Sequence, residues 1–340
     1  MRRRSGFGVV KVLVIGCGSI GSRHSRLLKS LCDVAVWDTD NGRAQALADT
    51  LNVNCFSNFD AAKNWQPDGV VIAVPNEFHV SVALPWLGHV RSILVEKPLA
   101  ATVTDAERLM TSIKGSGTKV YGACNMRFHP GVRMLKQGLE SIGTPLFARL
   151  HYGNSLPNMR PNSDYRKLYC ASRVAGGGVI LDAIHELDYI KWLLGPATML
   201  TAAAGRLSDL DIDVEDWACL TLCHESGPRT EIQLDYLRPY KRRGGEIVGS
   251  MGAVSWNSEG KSPEIIKSDL VMVSDTSPRS LLDQLGVNGD DAFVSMYQCF
   301  LSAMQSGGSS DLASIEEAFD TLRLAWDCLG AVLPLDAGRK

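Results

Sequence analysis

The stretch VIGCGSIGSRH, residues 14–24, limits what this chain can fold into more than any other. It places glycines at 16, 18 and 21, directly behind VVKVLVI (9–15), an apolar run with one charge that reads as a short buried strand. After the glycines, IGSRHSRLLKSL sets Ile20, Leu27, Leu28 and Leu31 at near-helical spacing. DVAVW (33–37) then reads as a second strand, ending at Asp38, 22 residues beyond Gly16. Strand, glycine turn, helix, strand and acid in this order predict a dinucleotide-binding βαβ unit. Gly16 permits the tight turn, Gly18 lets backbone approach a pyrophosphate, and Gly21 lets helix pack on strand. Free amides and the helix dipole, at Ser19 and Ile20, attract the phosphates. A carboxylate at Asp38 accepts hydrogen bonds from ribose hydroxyls and repels a 2'-phosphate, so NAD is favoured over NADP, with Arg43 close enough to temper the preference.

The same stretch has a rival reading. MRRR, an apolar run and then Cys17 could form a lipoprotein signal, but Lys11 interrupts the run and Gly6 and Gly8 loosen it. Cleavage before Cys17 would also destroy a complete fold element. The expected location is the cytoplasm.

A chain of 340 residues is long for one core and suggests two domains. A formal net charge of −2 supplies no broad attraction for nucleic acid or an anionic membrane, which leaves a small molecule as the expected partner. No apolar run of transmembrane length follows. The nine cysteines are scattered without a CxxC pair, as expected of buried free thiols in a reducing compartment. Cys219, Cys223 and His224 come nearest to a metal pair, but further ligands at suitable spacing are missing, so no metal is expected.

Beyond Asp38, helical GRAQALADTL, a strand VNCFSN, a helix around DAAKNW, and strands GVVIAV (69–74), SILVEK (92–97) and KVYGACN (119–125) continue the alternation, with helical VSVALPWLGHV and TDAERLMTSIK between the later strands. Such alternation predicts a doubly wound parallel sheet of the Rossmann type over residues 1–124. Ligands of these sheets lie beyond the carboxyl ends of the strands, which brings Asp38, Val74-Pro75-Asn76 with His79, and Glu96-Lys97-Pro98 to the cofactor. Residues 125–340 are richer in strands: LFARLHYG, TMLTAAAGRLS, DWACLTLCHE, RTEIQLDYL and EIVGSMGAVSWN. They predict an α+β domain with a large, mostly antiparallel open sheet, for substrate binding and oligomerisation. Ser314 and Glu317 have capping-box spacing before a last helix that runs toward Gly330.

VIGCGSIGSRH, AVPNEFH, VEKPLA and GGGVILDAIHELDYIKWLLG, in this order and at these separations, resemble the Gfo/Idh/MocA family of nicotinamide-dependent sugar and inositol dehydrogenases across nearly the whole chain. GSIGSRH, RFHPG, DYRKLY and HELDY further resemble a branch associated with bacterial surface polysaccharides and nonulosonates. The resemblance implies that Lys97, beside a cis proline bond, works between nicotinamide and substrate, where an ammonium can stabilise charge on the reacting oxygen. Lys97 read without it is an exposed loop charge. It also implies an aspartate and a histidine, Asp182 and His185, facing that lysine. The imidazole would exchange the hydroxyl proton, and Asp182 would orient it or bind a substrate hydroxyl. The family pattern has three residues between these two groups, whereas here only Ala183 and Ile184 intervene, a spacing that still keeps them on one helical face. Ile184, Leu187, Ile190 and Leu194 form the core stripe of that helix, and Asp188 is expected to be structural. Without the resemblance, Asp182, His185 and Asp188 read as capping and surface hydrogen bonding.

Substrate recognition is expected from Asn125, Arg127 and His129 and from Tyr165 and Arg166, along with His185, since arginine's planar fork suits anionic or polyhydroxyl ligands. The implied activity is hydride transfer between NAD(H) and a secondary alcohol or ketone of a sugar, amino sugar, nucleotide sugar or cyclitol. A non-catalytic dinucleotide-binding regulator and an imine or enone reductase are the alternatives. Family members pair their open sheets, which implies a homodimer or homotetramer.

Overall fold

In the computed structural model, the described residues are 9–160, 163–258, 264–267, 290–307, 309 and 311–331. The MRRR start, on which the signal reading leaned, lies outside them. The chain divides into two compact units, 1–125 with 292–319, and 126–291 with 320–340.

The first unit is built on a seven-stranded sheet. β1 (Lys11–Ile15), β2 (Asp33–Trp37), β3 (Asn54–Phe56), β4 (Gly69–Ile72), β5 (Ser92–Val95) and β6 (Lys119–Gly122) are parallel, in the order β6-β5-β4-β1-β2-β3. All residues of β4 and β5 are buried, as their nearly continuous apolar sequence requires of strands covered on both faces. Helices α1 (Ser19–Leu28), α2 (Asn41–Leu51), α3 (Phe59–Asn64), α4 (His79–Ala83) and α5 (Val103–Ser112) fill the crossovers.

A single boundary near residue 124 misses one feature: the chain returns to this unit late. The helix Asp291–Ser306 buries Met296, Tyr297 and Phe300 completely, each worth about 1.5–3 kcal/mol of transfer free energy. Strand β14 (Ala313–Ser314) then adds antiparallel to β6. Where helix Ile315–Gly330 begins, Ser314 and Glu317 bond reciprocally, Ser314 N–H to Glu317 Oε2 at 2.9 Å and Glu317 N–H to Ser314 Oγ at 3.2 Å, which is the capping box their spacing requires.

The second unit contains β7 (Pro145–Gly153), β8 (Ala197–Gly205), β9 (Trp217–His224), β10 (Arg229–Asp235), β11 (Arg242–Gly249), β12 (Gly252–Asn257) and β13 (Glu264–Lys267), ordered β13-β12-β11-β7-β10-β9-β8. β7 and β10 pair parallel and the other neighbours antiparallel. EIVGSMGAVSWN, read as one strand, is a hairpin that turns at Ser250-Met251, where Gly249 and Gly252 face each other. Alternation along the strands, interrupted by irregularities at Leu146 and Leu200, splits the sheet into two faces. Ala148, Leu150, Leu220, Leu222, Ile232 and Leu234 are buried on one, and Phe147, Arg149, Cys219 and Glu231 are exposed on the other. Helix α6 (Pro130–Gly138) packs on β12, with Gly131 against Trp256 and Gly138 against Val254, and a single turn, α7 (Leu156–Met159), follows β7.

Candidate functional site

The glycine turn is resolved residue by residue. Gly16 has φ +95°, and a Cβ there would overlap the Ala73 carbonyl. A Cβ on Gly21 would overlap the Gly16 carbonyl oxygen, whereas at Gly18 it would meet nothing within 4 Å. Two of the glycines are therefore required by the protein itself, and the third leaves room for a ligand. Helix α1 opens with no side-chain cap and no acid in its first turn, so nothing anionic competes for its free amides. Ser19 is exposed and Ile20 half-buried.

Asp38 ends β2 and is buried. Its Oδ2 accepts the Cys17 N–H at 2.7 Å and its Oδ1 the Asp40 N–H at 2.8 Å, so the acid also moulds the turn. Carboxylate oxygens accept more than one donor, which leaves capacity for hydroxyls. Arg43 lies 3.6 Å from Asp38 and 3.3 Å from Asp40, paired with both acids. Cys17 is buried, and burial pushes its thiol up to about 12. These features fit a dinucleotide: an open second glycine, bare helix amides and an acid at the next strand end.

After β4, Val74 and Pro75 are partly or fully exposed and Asn76 is buried. His79 was expected at the cofactor, but its ring is fully buried, with Nδ1 2.8 Å from the Pro98 carbonyl and Nε2 3.0 Å from the Val74 carbonyl. It ties the loops after β4 and β5 together. Burial lowers its pKa despite those carbonyls. The Lys97-Pro98 bond is cis, and Lys97 is half-buried. Glu96 has both oxygens engaged, Oε1 with His24 Nε2 at 2.8 Å and Oε2 with the Lys97 N–H at 3.1 Å. Burial alone would raise its pKa, but the His24 hydrogen bond and nearby positive charge hold it below the usual carboxylate range. Glu96 thus acts on the Lys97 loop.

In the second unit, Asp182 and His185 do not share a continuous helix. Asp182 closes α8 (Val179–Asp182), Ala183-Ile184 form a break, and His185 opens α9 (His185–Leu194). The one-face argument from spacing therefore does not apply, since regular helical geometry is lost between the two. Both are nonetheless buried, at 9% and 8% exposure, rather than on the surface. The Tyr169 hydroxyl donates to Asp182 Oδ1, and Glu215 Oε1 accepts the Ile180 N–H at 3.0 Å under α8. Burial raises the Glu215 carboxyl to about 7.

Arg127, expected on substrate, is 1% exposed, with Nε and Nη2 bound to the two oxygens of Asp188 at 2.9 and 2.8 Å. Its fork is committed to a structural ion pair. Asp188 fills the structural role expected of it. Asn125 is half-buried, and His129 accepts the Gly131 N–H at 3.1 Å to cap α6. Tyr165 is half-buried, its hydroxyl accepting the Asp211 N–H at 3.2 Å, and exposed Arg166 forks onto Asp164 at 2.8 and 2.9 Å. Nothing in these contacts brings Tyr165 or Arg166 to Asp182. Among the described residues no group of three or more His, Cys, Asp and Glu side chains could hold a metal ion, and no helix is long and apolar enough to cross a membrane. None of the nine cysteines is in a disulfide. Cys219 is exposed rather than buried.

Three residues take part here that no sequence motif marks as functional: His24, Tyr169 and Glu215. His24 lies inside the opening motif and Tyr169 inside DYRKLY, but neither carries a local signal of its partner; Glu215 is 35 residues from the amide it receives.

The parallel sheet and its glycine turn define a dinucleotide-binding protein of the Rossmann class. Residues 10–123 match the oxidoreductase family described as Gfo/Idh/MocA, NAD-binding Rossmann fold, and residues 110–255 match a C-terminal domain of the same family. Inositol 2-dehydrogenase 2 of Saccharopolyspora erythraea is 31% identical over 255 residues, 71% of each chain. Inositol 2-dehydrogenase 2 of Paenarthrobacter aurescens is 27% identical over 344 residues, 93% of this chain and 94% of its own. An oxidoreductase from Agrobacterium radiobacter, solved with NAD+, L-tartaric acid and magnesium, superposes with a TM-score of 0.80 at 22% identity over 98% of both chains, a likeness of fold. The chain belongs to the Gfo/Idh/MocA family of oxidoreductases, and NAD is its cofactor. Both relatives are named for inositol rather than for a surface polysaccharide.

Proposed function

We propose that this chain is an NAD-dependent dehydrogenase acting on a secondary alcohol of a sugar or cyclitol. The observation that carries the reading is Lys97, its peptide N–H held by Glu96 just beyond β5 in the same unit as the open glycine turn. Bound NAD+ supplies the hydride acceptor. The amides that open α1 and the second glycine hold its pyrophosphate, and Asp38 receives its ribose hydroxyls. Lys97 donates to the reacting oxygen and stabilises charge there. His185 takes the hydroxyl proton, for which an imidazole is suited near neutral pH, and Asp182 orients it or binds a neighbouring hydroxyl, supported by the Tyr169 donor.

The second unit is proposed to bind substrate and to pair with a second copy of the chain through the exposed sheet face. Phe147, 38% exposed on that face, supports such pairing. We place the protein in the cytoplasm, where its free thiols stay reduced.

The test is NADH formation by the purified protein with myo-inositol, other cyclitols, hexoses and nucleotide sugars. Turnover on at least one, abolished in Lys97→Ala while NADH still binds, is the expected result. No turnover on the whole panel, or full turnover by Lys97→Ala, would overturn the reading.

A further inference from the structure

His24 lies on α1, one turn beyond the glycine that packs that helix on the sheet, and its ring is fully buried. Nε2 is 2.8 Å from Glu96 Oε1, and Nδ1 is 2.5 Å from the hydroxyl of Tyr297 on the helix Asp291–Ser306. Phe293 of that helix closes the ring's edge, with centroids 5.8 Å apart. A ring proton on Nε2 fits both contacts, donating to the carboxylate while Nδ1 accepts from the phenol. Glu96 passes the constraint on, since its other oxygen receives the Lys97 N–H at 3.1 Å. Burying a carboxylate is costly unless donors surround it; here one comes from α1 and one from the lysine loop itself, and the helix that returns late in the sequence holds the first of them through Tyr297. The chain of bonds ends at the one residue to which the reaction assigns charge stabilisation.

We propose that His24 and Tyr297 are positioning residues for the reaction: they fix the Glu96 carboxylate against the Lys97 peptide N–H and so set the geometry from which Lys97 acts. The inference rests on the role given to Lys97 above. Two effects follow from the geometry. The Lys97 backbone is held in place, and an ionised carboxylate stays next to the lysine in the chain. Removing the His24 donor lets the buried carboxyl take up a proton, which loosens the loop.

The experiment compares His24→Leu, His24→Gln and Tyr297→Phe in the full chain by three readouts: NADH affinity from fluorescence, kcat on the panel compound that the wild type oxidises, and the rate at which acetic anhydride labels Lys97 at pH 8, relative to exposed lysines, by peptide mass spectrometry. His24→Leu is expected to lower kcat roughly tenfold to hundredfold, as a misplaced catalytic group does, with NADH affinity held and Lys97 labelling faster. His24→Gln, whose amide N–H can still reach Glu96, recovers most of both, and Tyr297→Phe shows a smaller change in the same direction. If His24→Leu leaves kcat and labelling unchanged, if His24→Gln is as damaged as His24→Leu, or if the whole loss lies in NADH affinity, the inference is wrong. Should His24→Leu fail to fold, Tyr297→Phe and Glu96→Gln carry the labelling comparison, and unchanged labelling in both overturns it. A wild type that oxidises nothing on the panel would sink the proposed activity, while the labelling arm would still decide this inference.

Discussion

The glycine turn after β1 and the break between α8 and α9 hold their functional groups in different ways. At the turn, the constraints are steric and mostly local: Gly21 yields to the carbonyl of Gly16, and Asp38 bonds the amides of Cys17 and Asp40. At the break, they are polar and come from afar. Glu215 reaches the amide of Ile180, Arg127 meets Asp188 across 61 residues, and Arg243 grips Glu186 at 2.6 Å across 57. Gly16 and Gly21 tolerate no added atom, and the polar groups no missing partner.

Substitutions separate the two. Gly21→Ala has the largest expected effect: a methyl placed on the Gly16 carbonyl oxygen prevents the first unit from folding, and soluble protein should be lost. Arg127→Ala leaves Asp188 buried and unpaired, and chemical denaturation should show a loss of about 3–5 kcal/mol. If it costs as little as a surface pair, the polar account of the second unit is wrong.

Glu215 tests the same account through pH. Its folded carboxyl titrates near 7, above the usual carboxylate value, so the native state keeps a proton that the unfolded chain releases. Its contribution is full below the unfolded pKa of about 4.5 and is lost as pH rises toward 7, on the order of 3 kcal/mol in all. Glu215→Gln should gain stability relative to wild type over that window and run parallel to it above. Parallel curves throughout would mean that Glu215 is ionised in the fold.

Gly18→Ala sharpens the comparison from the other side. Its Cβ meets no protein atom, so thermal stability should hold while NADH affinity falls about tenfold, close to 1.4 kcal/mol. A stable variant that binds NADH normally would show that the open space is not where the pyrophosphate lies. Ser314→Ala, which removes one half of the capping box, should cost about 1 kcal/mol and leave NADH affinity unchanged.

Legibility follows the same division. The alternation of strands and helices to residue 122 is written in local periodicity, and β2 spans Asp33–Trp37 as read. The glycine turn is legible because backbone geometry and close packing demand glycine itself. Much less of the second unit's polar chemistry could be read. Arg127 looks like a free ligand-binding fork until Asp188 is seen to occupy it, and His79 looks like a cofactor contact until its burial is known.

By itself, then, the sequence determined the dinucleotide-binding architecture, the acid at the end of β2, the lysine after β5 and the family to which they belong. Each is a short-range pattern of side-chain size and alternation, which the chain carries whatever surrounds it. The tertiary structure alone decided that residues 292–319 return to the first unit, that Asp182 and His185 flank a break rather than share a helical face, and that His24 joins Tyr297 to the lysine loop. The reason is physical: which donor meets which buried acceptor depends on elements brought together from tens to hundreds of residues apart, and no local pattern encodes that meeting.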